Sequence, residues 1–210
     1  MPTKFSEEKQ TLMRALGAEI INTPREEGML GASAKAKELE ESISGAVSLK
    51  QFENPANPLA HYETTGPEIY SALDGKIDYL VSGAGSGGTY SGIMRYLKEK
   101  NPKINGILAD PIGSTMGGGE HGDYTIEGIG NDFIADTMDM SLVDKVIKIT
   151  DDDAFGGSRE LAKKEGIFAG SSSGGALAAA KKLIKSGATG NIVVILPDRG
   201  DRYFSKNLYI

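Results

Sequence analysis

Apolar residues first recur at helical spacing between Phe5 and Leu16, where Leu12, Met13 and Leu16 share a face. Ser6 can cap that helix, Glu7 and Glu8 suit its first turn, and Gly17 ends it. Ala18 to Thr23 (AEIINT) is a short apolar run and predicts a buried strand. Pro24 to Gly31 is a polar loop, Ala32 to Ser42 a second helix, and Ala46 to Leu49 a second short strand. The first fifty residues therefore predict αβαβ with parallel-sheet character. Gln51 to Tyr62 (QFENPANPLAHY) breaks the periodicity with two Asn-Pro pairs, predicting an ordered connector or a domain boundary. Thr65 to Ala72 returns to helix, with Pro67 in its first turn.

The most informative pattern lies between Ile77 and Lys100. A run of strand formers (Ile77, Tyr79, Leu80, Val81) leads into a glycine loop, Ser82 to Thr89. From Tyr90 to Lys100 the spacing is helical, with Ile93, Met94, Tyr96 and Leu97 on or near one face. Strand, glycine loop and helix start make an anion cradle: backbone N–H groups can turn to a ligand, and the helix N-terminus adds partial positive charge. Four glycines with Ser86 and Thr89 favour a phosphate over a bare turn. Gly83-x-Gly85-x-x-Gly88 also fits the dinucleotide pattern, and the next predicted strand, Ile104 to Leu108, is followed by Asp110, an acid that could hold a ribose. On these residues alone, a nicotinamide enzyme stays open.

Further on, Gly113 to Gly122 is loop. Gly128-Ile129-Gly130, flanked by acids, is too small to make a core element and is either a surface turn or a loop that folds over a ligand. Val146 to Thr150 is a strand. Asp151 or Asp152 caps a helix reaching Lys164, which Gly166 stops. Ile167 and Phe168 open another short strand. Gly170 to Gly175, with three serines, then leads into the helix Ala176 to Lys185. Asn191 to Leu196 (NIVVIL) is the clearest buried strand and ends at Pro197-Asp198, where the ligand crevice of an open α/β sheet lies.

Composition narrows the chemistry. With 39% hydrophobic and 25% charged residues, the chain is ordinary for a globular protein. A net charge of −6 without a basic run argues against nucleic acid, and no stretch is long enough to span a membrane. The N-terminal MPTKFSEEKQ has no apolar signal core, so a cytoplasmic location is expected. There is no cysteine, which removes disulfides, thiolate metal sites and thiol nucleophiles; only His61 and His121 offer imidazoles.

Taken in order, RALGAE, QFENPANP (51–58), TTGPEI (64–69), GSGGT (85–89), GIG (128–130), SSSG (171–174) and the terminal ILPDRGDRY resemble the fold-type II pyridoxal-phosphate enzymes, and among them the cysteine synthase and cystathionine β-synthase family. The nicotinamide reading has no place for QFENPANP or TTGPEI. The resemblance implies a three-layer α/β architecture. Residues 1–54 would be the C-terminal part of an incomplete small αβα domain, and 55–210 the large domain that binds the cofactor phosphate. It implies that Gly85, Ser86, Gly87, Gly88 and Thr89 hold the phosphate of pyridoxal 5′-phosphate, that Ser172 bonds the pyridine nitrogen, and that Asp198 lies next to that end of the ring. Gln51 would approach the substrate carboxylate, and Gly128, Ile129 and Gly130 would line and close the entrance. A serine partner leaves the ring a weaker electron sink, which suits β-elimination and β-replacement. The implied substrates are serine, O-acetylserine or cysteine, with cysteine or cystathionine formed or hydrogen sulfide released. A homodimer is also implied. Asp132-Phe133 and Asp110-Pro111 lean to the cystathionine β-synthase side, and Asp132 is expected to touch the incoming nucleophile or the substrate amino group.

One departure stands out. The lysine that carries the cofactor in this family, and the Ser/Thr-Gly-Asn-Thr-Gly loop after it, have no counterpart here. Three accounts fit: a piece of a complete enzyme, which is the favoured one; a separate chain that supplies the lysine; or a non-catalytic binding or scaffold protein of the same fold. The first would leave apolar surface uncovered in residues 1–50 and favour association or poor solubility.

Overall fold

The computed structural model describes residues 1–3 and 5–210. Four parallel strands, β1 (Tyr79–Gly83), β2 (Asn105–Pro111), β3 (Lys145–Ile149) and β4 (Ile192–Val194), form one sheet in the order β3-β2-β1-β4. Both faces are covered, as a parallel sheet requires. Successive side chains alternate between the layers. Leu80 and Leu108 pack with Ile93, Met94 and Leu97 of α5 (Gly88–Lys100). Val81, Ile107, Ala109, Ile147 and Ile149 pack with Ala178, Ala179 and Leu183 of α7 (Ser171–Lys185) and Ala154 of α6 (Asp151–Glu160). The three-layer α/β expectation holds.

The strands and helices of this layer follow the sequence pattern closely. Thr65–Ala72 forms α4. The helix after β3 is capped by Thr150 rather than by Asp151 or Asp152. Thr150 Oγ1 accepts from Asp153 N at 3.0 Å, and Asp153 Oδ2 accepts from Thr150 N at 2.9 Å. A helix-starting side chain must precede the first turn to reach its N–H groups, and Thr150 stands there. The helix loosens into a π turn at Leu161–Glu165 before Gly166 ends it. Ile167 and Phe168 form no strand; the adjacent Ala169 makes a single antiparallel bridge to Arg199.

The first fifty residues depart most from expectation. α1 (Glu7–Ala15) and α2 (Gly28–Ser42) form, because a helix closes its hydrogen bonds within itself. Residues 18–23 and 46–49 do not form strands. A strand needs a neighbour to take its N–H and C=O groups, and among the described residues neither run has one beyond a single bridge from Thr23 to Pro2. Val47 and Leu49 are accordingly 82% and 81% exposed. The predicted connector at 51–62 is instead largely helical: α3 spans Ala56–Glu63, with Pro55 at its N-cap and Asn54 Oδ1 accepting from Ala56 N at 2.9 Å. Pro55 and Pro58 fall within the first turn or before it, where a missing N–H costs nothing. α3 packs along α5, so the segment belongs to the layer that builds the site.

Replacing Thr150 with Ala should cost about 1 kcal/mol, read as a lower urea midpoint. The Asp153 carboxyl lies below its ordinary value: burial pushes it up, but hydrogen bonds from Lys182 and Thr150 outweigh burial. A depressed folded pKa stabilises the fold above the unfolded value of about 3.9 and loses that contribution as pH falls through the folded value. Asp153→Asn should therefore flatten the pH dependence of stability below about pH 4; an unchanged acid profile would remove this account.

Candidate active site

The chain runs from β1 through β2 to β3 on one side, and β4 then returns to the other side of β1. This reversal opens a crevice at the carboxyl ends of β1 and β4. A cavity of about 670 Å³ fills it. Its floor is the glycine loop after β1, and Ile195 and Pro197 after β4 add to its wall.

The loop is set by what takes its carbonyl groups. Ala84 O accepts from Gly130 N at 2.8 Å, Gly85 O from Asn131 Nδ2 at 2.6 Å, Ser86 O from Thr137 Oγ1 at 2.6 Å and Gly87 O from Ser91 N at 2.8 Å. With the C=O groups drawn outward, the N–H groups are left for the cavity. Among the amides from Ser86 to Tyr90, only Gly88 N has an acceptor among the described residues, Ser86 Oγ at 3.4 Å. Gly87 makes the bend into α5 at φ 83°, where any Cβ would also run into Met138. Asn57 of α3 closes the loop from behind, donating to Ser86 Oγ at 2.9 Å and to Gln51 O at 2.7 Å. Gly88 has no room for a side chain beside that Asn57.

A second helix N-terminus meets the cavity. α7 begins at Ser171, five residues earlier than the spacing suggested, because the three serines extend the helix. Ser171 Oγ is taken by Glu127 N at 3.1 Å. Ser172 is buried, lines the cavity, and its hydroxyl makes no hydrogen bond among the described residues. Two helix N-termini thus give the crevice a positive potential without a buried cation.

Of the residues singled out in the sequence, Gly85, Ser86, Gly87, Thr89, Gln51, Gly128, Ile129, Asp132 and Ser172 all line this cavity. Gly88 lies beneath it as the first residue of α5. Ile129 does two jobs: it lines the cavity and is also 6% exposed within the core beside Val81, so the Gly-Ile-Gly turn does contribute to the core. Asp132 is at the rim, its Oδ1 2.9 Å from His121 Nδ1. Asp198 is one residue beyond the lining residue Pro197. Its Oδ2 accepts from Tyr203 OH at 2.5 Å, and its Oδ1 is buried next to Gly170, at the N-cap of α7, with no hydrogen-bond partner among the described residues. Burial, with Asp198 next, pushes the Tyr203 phenol up, so it stays a donor. Lys9 Nζ donates to Tyr203 OH at 2.8 Å and pairs with the buried Glu127 at 2.9 Å.

Asp110 is not a ribose ligand. It is 1% exposed, its Oδ2 takes Lys148 Nζ at 2.5 Å and Gly117 N at 3.1 Å, and it does not line the cavity. Sequence reading missed the residues that hold the cradle from outside it: Asn57, Asn131 and Thr137. Only Asn57 carried a signal, as part of an Asn-Pro pair, and that signal pointed to a turn.

A family model described as pyridoxal-phosphate dependent enzyme matches residues 1–198. An O-acetylserine dependent cystathionine beta-synthase of Bacillus subtilis is 49% identical over 210 residues, covering 100% of this chain and 68% of that protein. A cysteine synthase of Helicobacter pylori is 48% identical, with 100% and 69% covered. The crystal structure of an O-acetylserine dependent cystathionine beta-synthase from Helicobacter pylori superposes with a TM-score of 0.95 at 48% identity, over 100% of this chain and 69% of that one. With the family model matching residues 1–198 and nearly half of the residues identical to these relatives over the whole chain, the chain belongs to the pyridoxal-phosphate dependent enzyme family.

Proposed function

We propose that this cavity binds pyridoxal 5′-phosphate through the amides of residues 85–89 and the hydroxyls of Thr89 and Ser172, and serves β-replacement on a serine-derived amino acid. The observation that carries the reading is the row of amides from Ser86 to Tyr90, of which only Gly88 N has an acceptor among the described residues, while the carbonyls of Ala84 to Gly87 are engaged elsewhere. The donor set fits the group: backbone N–H groups and a helix N-terminus for a phosphate dianion, and a lone hydroxyl for a ring nitrogen. The volume is that of a small-molecule site. Relatives named for O-acetylserine dependent cystathionine synthesis and for cysteine synthesis support an O-acetylserine or serine substrate with a thiol or sulfide nucleophile. Prepared polar groups facing the cavity favour this over a non-catalytic scaffold.

Bound there, the cofactor supplies an electron sink for breaking bonds at the α and β carbons of an amino acid. The chain's residues do the rest. Ser172 offers the ring nitrogen a neutral partner, which does not hold a proton there as a carboxylate would. Asp198, behind the start of α7, acts on that end of the site through its field. The Gln51 side chain makes no hydrogen bond among the described residues and can reach a substrate carboxylate from the rim. Gly128 and Ile129 wall the entrance. Asp132 can orient the substrate amine or accept the proton of an incoming thiol or water, with His121 behind it. No helix among the described residues is long and apolar enough to cross a membrane. A cytoplasmic homodimer, and a division into 1–54 and 55–210, complete the proposal.

Gly87→Ala should weaken binding of pyridoxal 5′-phosphate at least about tenfold in a fluorescence titration, because both the φ and Met138 force the loop to move. Unchanged affinity would show that this loop does not cradle the phosphate. Product formation from O-acetylserine with sulfide, cysteine or homocysteine, measured on protein that also supplies the lysine the family uses to carry the cofactor, tests the reaction itself; no product with any of the three would overturn β-replacement. Asp132→Asn should change the ratio of products severalfold while leaving cofactor affinity unaltered, and an unchanged rate and ratio would remove Asp132 from the chemistry.

A further inference from the structure

Thr89, at the start of α5, lines the cavity, and among the described residues its hydroxyl has one hydrogen-bond partner, His61 Nε2, at 2.9 Å. His61 Nδ1 in turn is 3.0 Å from Thr65 Oγ1, the first residue of α4. Thr65 Oγ1 has no other hydrogen bond among the described residues. Three side chains from three helices therefore form a single file that ends in the cavity. The file is tightly placed: α3 lies so close to α5 that a side chain at Gly92 would meet His61 Cβ at 2.8 Å.

Burial pushes the His61 imidazole down from its ordinary value, so the ring is neutral at neutral pH. A neutral imidazole has one donor and one acceptor, and the file can be wired in two ways. With the proton on Nδ1, the ring donates to Thr65, and Nε2 must accept the proton of Thr89. Thr89 then turns only lone pairs to the cavity, which an anion rejects. With the proton on Nε2, Thr65 donates to Nδ1, the ring donates to Thr89 Oγ1, and the Thr89 proton is free to point into the cavity. The two wirings hold the same number of protons; the ring proton changes nitrogen and two hydroxyls rotate.

We propose that His61 is a positioning residue for the cofactor phosphate: its Nε2–H tautomer makes Thr89 a donor, and arrival of the phosphate selects that tautomer. The inference rests on the phosphate reading given above and assigns a role to a residue outside the loop. His61 touches neither phosphate nor substrate and acts through Thr89.

The test uses pyridoxine 5′-phosphate, which carries the phosphate but no aldehyde, with pyridoxine as the control. The chain has two histidines, so the ring nitrogens of His61 are identified in a nitrogen-15 spectrum by comparison with His121→Gln. Pyridoxine 5′-phosphate should bring His61 to the Nε2–H tautomer, and pyridoxine should not. His61→Ala should weaken pyridoxine 5′-phosphate binding roughly tenfold, the scale of one hydrogen bond to a charged group. His61→Gln, whose amide can donate where Nε2–H did, should recover most of that loss. A ring that stays Nδ1–H or becomes doubly protonated in the complex would overturn the inference. So would a His61→Ala protein that binds as tightly as the parent, or a His61→Gln protein as weak as His61→Ala. If the parent does not bind pyridoxine 5′-phosphate at all, the phosphate reading itself falls and takes this inference with it; binding without any of the His61 effects overturns the inference alone.

Discussion

A backbone loop can offer its N–H groups to an anion only if something else takes its C=O groups. The rest of this site depends on that constraint. The groups that satisfy it come from far along the chain. Asn131 and Thr137 hold Gly85 and Ser86, and Asn131 is itself held, its N–H and its C=O both bonded to Ser114 Oγ, at 3.1 and 3.0 Å. Ser114 O accepts from Lys148 Nζ at 2.7 Å, and Lys148 is fixed by the buried Asp110. A line of contacts thus runs from Asp110 in β2 to the glycine loop after β1. The acid that looked like a nucleotide ligand anchors the cradle instead.

The sheet order decides where this matters. Because β4 returns beside β1, the loop after β1 and the residues after β4 face the same crevice, and α7 enters it N-terminus first. The floor is stiff, since Ile129, Ser172 and the loop are packed into the two core layers. The rim is not held in the same way. Its side-chain contact, His121 with Asp132, is 70% and 47% exposed, and contacts between polar groups so open to water contribute little to stability. A rigid floor with a weakly tied rim suits a site that holds one group permanently and exchanges another.

Much of this was legible in the sequence, for definite reasons. The glycine loop, Ser172 and the four strands of the sheet carry local signals: period-two or continuous apolar runs, and glycine clusters before helices. What was not legible depends on partners. AEIINT at 18–23 has the composition of a strand, but among the described residues it has no strand neighbour beyond the single bridge from Thr23 to Pro2, so the pattern does not become a sheet. QFENPANP reads as a turn by its prolines, yet both fall where a helix tolerates them, and α3 follows. Asn131 and Thr137 look like ordinary loop residues; only the fold brings their side chains to carbonyls 46 and 51 positions away. His61 was visible as one of two imidazoles, but the file it joins was not.

The same logic explains the position of Asp198. The resemblance expects it beside the pyridine end of a ring; the structure sets it one residue past the lining residue Pro197, against Gly170 at the N-cap of α7, with its carboxylate engaged from behind. Tyr203 donates to it, and Lys9 from α1 caps Tyr203 while neutralising Glu127, the residue before Gly128. Glu127 is 5% exposed, so removing either partner alone leaves a buried charge, which costs more than the pair contributes. Lys206 also approaches Glu127, at 3.5 Å. The cavity wall at Gly128 is therefore held from α1 on one side and from the C-terminal turns on the other. In the proposed reading Asp198 would act on the site electrostatically, through the N-terminus of α7, and not as a direct ligand; the hydroxyl of Ser172, which lines the cavity and makes no hydrogen bond among the described residues, would be the group that touches a ring nitrogen.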